Sequence, residues 1–180
     1  MKSSYQYSLG AFVLAGVFLA AIYISQQDSS SPKSQAIVWK SFDEGVSLAR
    51  TSNKKVLVDV YTDWCSWCKK MDSEVYTDAD VIKLMDANFV AVKLNAESSK
   101  PVTFRGNSLT EAAFARELGV TGYPTILFFD PNANPITDLP GYSPAQRFAL
   151  ILKYIAEDHY KSTSFQEYLQ HQSPQPKNDD

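Results

Sequence analysis

Two sulfurs constrain this chain more than any other residues. Cys65 and Cys68 are its only cysteines, and they sit in Trp64-Cys65-Ser66-Trp67-Cys68-Lys69-Lys70, just after Val56-Leu57-Val58-Asp59-Val60-Tyr61. That preceding run is apolar but for Asp59, the pattern of a strand covered on both faces inside a layered α/β fold. A strand that feeds a C-x-x-C at the first turn of a helix also fixes a chemistry. The helix start stabilises a thiolate and the second sulfur can close on the first, which suits the pair to exchanging electrons with other thiols.

The rest of the chain supplies the layers. With 180 residues, 44% of them hydrophobic, it is long enough for one cored domain plus an appendage. The first core residues are Ile37, Val38 and Trp39. Ser41-Phe42-Asp43-Glu44 has capping-box spacing and opens a helix to about Thr51, and Thr77 to Asp80 signals another that carries Val81, Leu84 and Met85. Phe89 to Leu94 is the next strand, Ala96 to Leu109 a long loop, and Glu111 to Leu118 a helix closed by Gly119. Thr125 to Phe129 is a strand that returns through the turn Asp130 to Pro135 as an antiparallel hairpin. Ser143 and Pro144 cap and start a last long helix. The order is βαβαβαββα, an α/β fold whose central mixed sheet is flanked by helices.

The ends are different in kind. Leu9 to Ile24 carries no charge and follows a short start with Lys2, so it is a membrane-targeting helix, either a cleaved signal peptide or an uncleaved anchor with the domain outside. The chain therefore divides into a targeting segment (1–25), a polar Ser-rich tether (26–36), a folded domain (37–158), and a short docked helix with a disordered tail (159–180). Export puts the cysteine pair in a compartment where it cycles rather than resting reduced. A net charge of −3 without long runs of like charge leaves no footprint for nucleic acid.

At the pair itself, Cys65 is the expected nucleophile. Unpaired N–H groups and the dipole of a helix start can bring a thiol pKa from ~8.5 into the range ~3.5–7.5. Cys68, one turn on and less exposed, then resolves the mixed disulfide. A purely stabilising disulfide is the bland alternative, but closing so small a loop stabilises by only ~2 kcal/mol. Zinc lacks ligands, since the only histidines are His159 and His171. Asp59, a carboxylate inside an apolar strand, is expected to have a raised pKa, so that it or a linked water can take the proton from Cys68; otherwise it is a hydrogen-bonded strand-edge aspartate. Trp64 packs on the domain, Trp67 faces the partner, and Asp63, Lys69 and Lys70 are solvated charges that tune the local field.

These residues carry a resemblance. The stretch from Ile37 to Asp158 resembles thioredoxin and its exported relatives, in Val58-Asp59-Val60-Tyr61-Thr62-Asp63-Trp64-Cys65, in Lys93-Leu94-Asn95, and in Gly122-Tyr123-Pro124-Thr125. Tyr61 to Met71 and Thr125 to Asp130 are most similar to the C-terminal domain of the bacterial transmembrane disulfide reductase. The resemblance implies a thioredoxin fold, a cis Tyr123-Pro124 turn packed on the sulfurs, and Lys93 as the lysine that neighbours Asp59. It implies catalytic Cys65, Cys68, Asp59 and Lys93, with Trp64, Ser66, Trp67, Tyr123 and Pro124 facing the substrate, and neither cofactor nor metal. Its partners are protein thiols and disulfides, an upstream redox protein, and the membrane. The anchor, tether and tail lie outside the resemblance; with the apolar segment, the expected place is extracytoplasmic, in the periplasm, held to the inner membrane by residues 9–24. The Ser66-Trp67 dipeptide, where thioredoxin has Gly-Pro, and the loop after Asn95 depart from the family.

The leading expectation is a membrane-tethered reductant of protein disulfides. A disulfide oxidase or isomerase, and a thioredoxin-like chaperone or metallochaperone that binds without turnover, are the alternatives. Ser98 to Ser108 follows a strand parallel to Val56–Tyr61, so it is expected at the sheet edge that carries the sulfurs, where it either helps choose the partner or is a neutral surface insertion.

Overall fold

A computed structural model describes residues 36–172. The targeting segment, nearly all of the tether, and the tail beyond Gln172 lie outside the described residues. The elements are α1 (Phe42–Ser52), β1 (Lys55–Tyr61), α2 (Ser66–Lys70) running on into a π-helical turn (Met71–Val75), α3 (Ala79–Asn88), β2 (Phe89–Asn95), β3 (Pro101–Phe104) and β4 (Asn107–Thr110). They continue with α4 (Glu111–Glu117), β5 (Thr125–Phe129), β6 (Pro135–Pro140), α5 (Ala145–Ala156), a 3₁₀ turn (His159–Lys161) and α6 (Phe165–Gln172).

The main sheet has strand order β2-β1-β5-β6, with β1 parallel to β2 and antiparallel to β5, and β5 antiparallel to β6. It is the expected mixed sheet. Alternation along β1 splits the core in two: Val56, Val58 and Val60 join Phe42, Phe104, Phe114 and Phe129 on one face, while Leu57 joins Met71, Val75, Tyr76 and Phe148 on the other. The first face is covered by α1, α4 and β3, the second by α3, α5 and the π turn that follows α2.

Local chemistry explains where the elements begin. The Glu44 carboxylate accepts from the Ser41 backbone N–H at 3.2 Å and from its hydroxyl at 2.8 Å, which starts α1. Asp78 accepts from the N–H groups of Asp80 and Val81 and starts α3. Gly45 lets α1 lie directly on β2, because a Cβ there would come within 2.3 Å of Val92 Cγ2. In the β5–β6 turn, Asp130 accepts from the N–H groups of Asn132 and Asn134 and from the Asn134 side chain. The short C-terminal helix docks with Tyr168 buried and Tyr154 ring to ring with Phe165 and Tyr168.

Three expectations are corrected. The leading strand reduces to a single parallel bridge from Lys40 to Val92, and Val38 is exposed rather than part of the core. The stretch 96–109 is not an open loop but largely the β3–β4 hairpin. Val102 and Phe104 are buried in the first core, and Arg105 and Gly106, both at positive φ, make its two-residue turn. Ser143 does not cap α5: Pro144 takes that position, its carbonyl accepting from Phe148, and the buried Ser143 hydroxyl is left without a hydrogen-bond partner.

Candidate functional site

Parallel pairing brings the C-terminal ends of β1 and β2 together, with Asp59 opposite Lys93 and Tyr61 opposite Asn95. Thr62, Asp63 and Trp64 turn the chain out of β1, and Cys65 takes the N-cap position of α2. Its sulfur accepts the backbone N–H of Cys68 at 3.0 Å, and its carbonyl accepts from Lys69. Cys65 and Cys68 are joined as a disulfide. The expected contrast in exposure is absent, because Cys65 is 4% and Cys68 2% exposed.

Two tryptophans stand beside this buried disulfide. Trp67 is 54% exposed, and Trp64 is 67% exposed rather than packed away on the domain. Trp64 is nonetheless held, since its indole N–H donates to the Glu97 carboxylate at 3.0 Å and its ring meets Tyr123 edge to face at 5.9 Å. Trp67 lies 5.4 Å from the Tyr142 ring. Lys70 is not a free charge: its ammonium sits over both those rings and faces Glu74, whose carboxylate also accepts from the Tyr142 hydroxyl. Ser66, the first residue of α2, is exposed. Tyr123-Pro124 is cis, and the buried Pro124 accepts the Gly141 N–H through its carbonyl at 2.7 Å.

Beneath the π turn lies a charged group that strand parity explains. Asp59 shares the face of Leu57, which the π turn covers, and it is fully buried. Lys93 Nζ is 2.6 Å from Asp59 Oδ2 and 2.6 Å from Asp72 Oδ1, so one ammonium joins a buried carboxylate to a half-exposed one. Burial pushes the Asp59 carboxyl above its usual range, and the Lys93 charge pulls it partly back. Burial disfavours the charged form of Lys93, but Asp59 and Asp72 hold its pKa above the ordinary lysine value.

Asp59 and Lys93 thus meet as the sequence predicts, while Asp72, Glu97, Tyr142 and Tyr76 join the site without having been expected there. Asp72 has a signal in the chain, because it follows Cys68 by one helical turn. Glu97, Tyr142 and Tyr76 have none, since only the tertiary fold brings them to the site. Of the expected partner-choosing stretch, Glu97 just before it reaches Trp64, while the hairpin tip at Arg105-Gly106 lines a surface hollow with Arg50, Thr51 and Asn132. Among the described residues no cluster of His, Cys, Asp and Glu could hold a metal, and no helix is long and apolar enough to cross a membrane.

Comparison with known proteins follows the same outline. Residues 42–156 match the family model of a thioredoxin-like domain. The chain is homologous to thiol:disulfide interchange proteins DsbD, with 33% identity over 105 residues to that of Cronobacter sakazakii, covering 57% of this chain and 17% of the relative. Identity to that of Pseudoalteromonas atlantica is 27% over 158 residues, covering 79% of this chain and 25% of the relative. The chain thus spans a quarter or less of the length of these two relatives. Among solved structures, a thioredoxin from Thermus thermophilus superposes with a TM-score of 0.56 at 26% identity, covering 67% of this chain and 88% of its own.

Proposed function

Because this chain belongs to the thioredoxin-like domain family, we propose that its Cys65–Cys68 pair reduces disulfides of other proteins outside the cytoplasm. The observation that carries the reading is the disulfide at the start of α2, one sulfur accepting a helix N–H. Homology to proteins named for thiol:disulfide interchange supports it.

In the reduced protein the Cys65 thiolate attacks one sulfur of a substrate disulfide, a mixed disulfide forms, and the other substrate sulfur leaves as a thiolate. Cys68 then gives its proton to Asp59, attacks Cys65 Sγ, and expels the second substrate sulfur. The products are a reduced substrate and the Cys65–Cys68 disulfide seen here. Two electrons from an upstream dithiol restore the starting state. Lys93 stays on Asp59 throughout and favours its ionised form, the one that can accept the proton. Trp64, Ser66, Trp67, Tyr123 and Pro124 form the wall that meets the substrate, with aromatic rings on either side of the sulfurs. Residues 9–24 hold the domain to the outer face of the inner membrane, and residues 26–36 give it reach.

Insulin reduction tests the activity. With a supplied dithiol, the full chain is expected to accelerate insulin precipitation well beyond the dithiol alone. A rate equal to that of the dithiol alone would reject the exchange reading.

A further inference from the structure

The Asp59–Lys93 pair is enclosed by rings drawn from three separate parts of the fold. Lys93 Nζ lies 4.8 Å from the centre of the Trp39 ring, 5.0 Å from Tyr61 and 5.4 Å from Tyr76. Trp39 comes from the segment before α1, Tyr61 from the end of β1, and Tyr76 from the residue that closes the π turn. Trp39 and Tyr76 also brace each other edge to face, 4.9 Å apart. A lysine ammonium on its four-carbon stem ordinarily swings freely. Here ring faces attract it and fill the space into which it would move.

The box has a consequence for which carboxylate keeps the charge. Lys93 touches both Asp59 and Asp72, and Asp72 is half exposed. An ammonium free to move would follow Asp72 toward water and leave Asp59 buried and unpaired. The rings keep it on Asp59.

The other oxygen of Asp59 points to the same residue. Oδ1 has no direct hydrogen-bond partner, and neither has the buried Tyr76 hydroxyl. The two groups are close enough to perturb each other: burial first, then Asp59, pushes the Tyr76 phenol well up, while Tyr76 helps to hold the Asp59 carboxyl down. Two buried polar groups left unpaired side by side are costly, and a small rotation of either completes the bond between them.

We propose that Tyr76 and Trp39 are positioning residues for the exchange reaction: their rings fix the Lys93 ammonium on Asp59 Oδ2, the Tyr76 hydroxyl donates to Oδ1, and together they set the pH at which Asp59 accepts the Cys68 proton. The proposal rests on the thiol-disulfide exchange described above. The other charges around the pair are Asp72 on the π turn, which opposes ionisation of Asp59, and Asp63 and Glu111, which with Lys93 and Asp59 act on Tyr61. All of them remain in place in the variants below.

The test reads Asp59 directly, by carbon NMR titration of its carboxyl in the full chain held in detergent, without any substrate. Tyr76→Phe keeps the ring and loses the hydroxyl, and its midpoint is expected to rise by about one pH unit. Trp39→Leu removes one wall of the box, and a rise of about half a unit is expected. In a Cys65→Ser background, the pH at which Cys68 is alkylated should rise in parallel. If Tyr76→Phe folds and leaves the midpoint of Asp59 unchanged, the hydroxyl has no such role and the proposal is overturned. If Tyr76→Phe does not fold, Trp39→Leu decides alone, and an unchanged midpoint there overturns the box. Shifted midpoints in a protein that does not reduce insulin would leave the box standing and reject only the exchange reading.

Discussion

A Cys65→Ser variant is expected to lose insulin reduction down to the rate of the supplied dithiol, whereas Cys68→Ser is expected to accumulate protein joined covalently to its substrate. The asymmetry follows from position. Cys65 sits at the N-cap, where its sulfur accepts the Cys68 N–H, so helix N–H groups stabilise its thiolate and not that of Cys68. Without Cys65 no mixed disulfide forms. Without Cys68 the mixed disulfide forms and has no internal thiol to resolve it. Non-reducing electrophoresis followed by mass analysis of the adduct separates the cases. Adducts through Cys65 in Cys68→Ser, and none in Cys65→Ser, are the expected result. A binding module that never turns over would give adducts in neither.

Asp59→Asn is expected to slow turnover and to stabilise the fold, two effects of opposite value from one change. Loss of a positioned proton acceptor lowers the rate of Cys68 attack by about 10²-fold at neutral pH. The stability effect follows from the raised pKa of Asp59. Because the folded state binds this proton more tightly than the unfolded chain does, stability is fully present below the unfolded carboxyl value of ~3.9. It is lost as pH rises through the higher folded value. Asparagine carries no charge to bury, so the variant escapes that loss. Lys93 keeps Asp72 as a partner at 2.6 Å, and the asparagine amide can donate to the Tyr76 hydroxyl where Oδ1 has no direct partner. The gain is expected to be on the order of 1–3 kcal/mol at pH 8 and to vanish near pH 4, as read from urea denaturation. A variant less stable than the wild type at pH 8 would mean that the Lys93 pair outweighs the burial of Asp59.

Much of this site is legible in the amino-acid sequence, for physical reasons that differ by residue. The apolar run around Asp59 marks β1 because both faces of that strand are covered. Lys93 falls opposite Asp59 because parallel strands in register place it there. The hairpin at Pro101–Thr110 is legible in principle from Val102 and Phe104 alternating before Arg105-Gly106, but its composition resembles a loop and hides the alternation. The settings of Trp64 and Trp67 do not follow from sequence. They depend on Glu97 and Tyr142, which come from distant turns, and a large aromatic residue next to a cysteine is equally compatible with either orientation. The same holds for the Lys93 box, whose walls at Trp39, Tyr61 and Tyr76 share no spacing in the chain.

The direction of electron flow is the central claim, and the reduction potential of the Cys65–Cys68 couple measures it most directly. Equilibration of the full chain with glutathione or dithiothreitol buffers, read by the emission of Trp64 and Trp67 beside the disulfide, gives the value. A reductant of protein disulfides predicts a potential near that of thioredoxin, about −270 mV. A value near about −120 mV, where the strongest dithiol oxidants lie, would contradict the account and make this chain a donor of disulfides rather than their reductant.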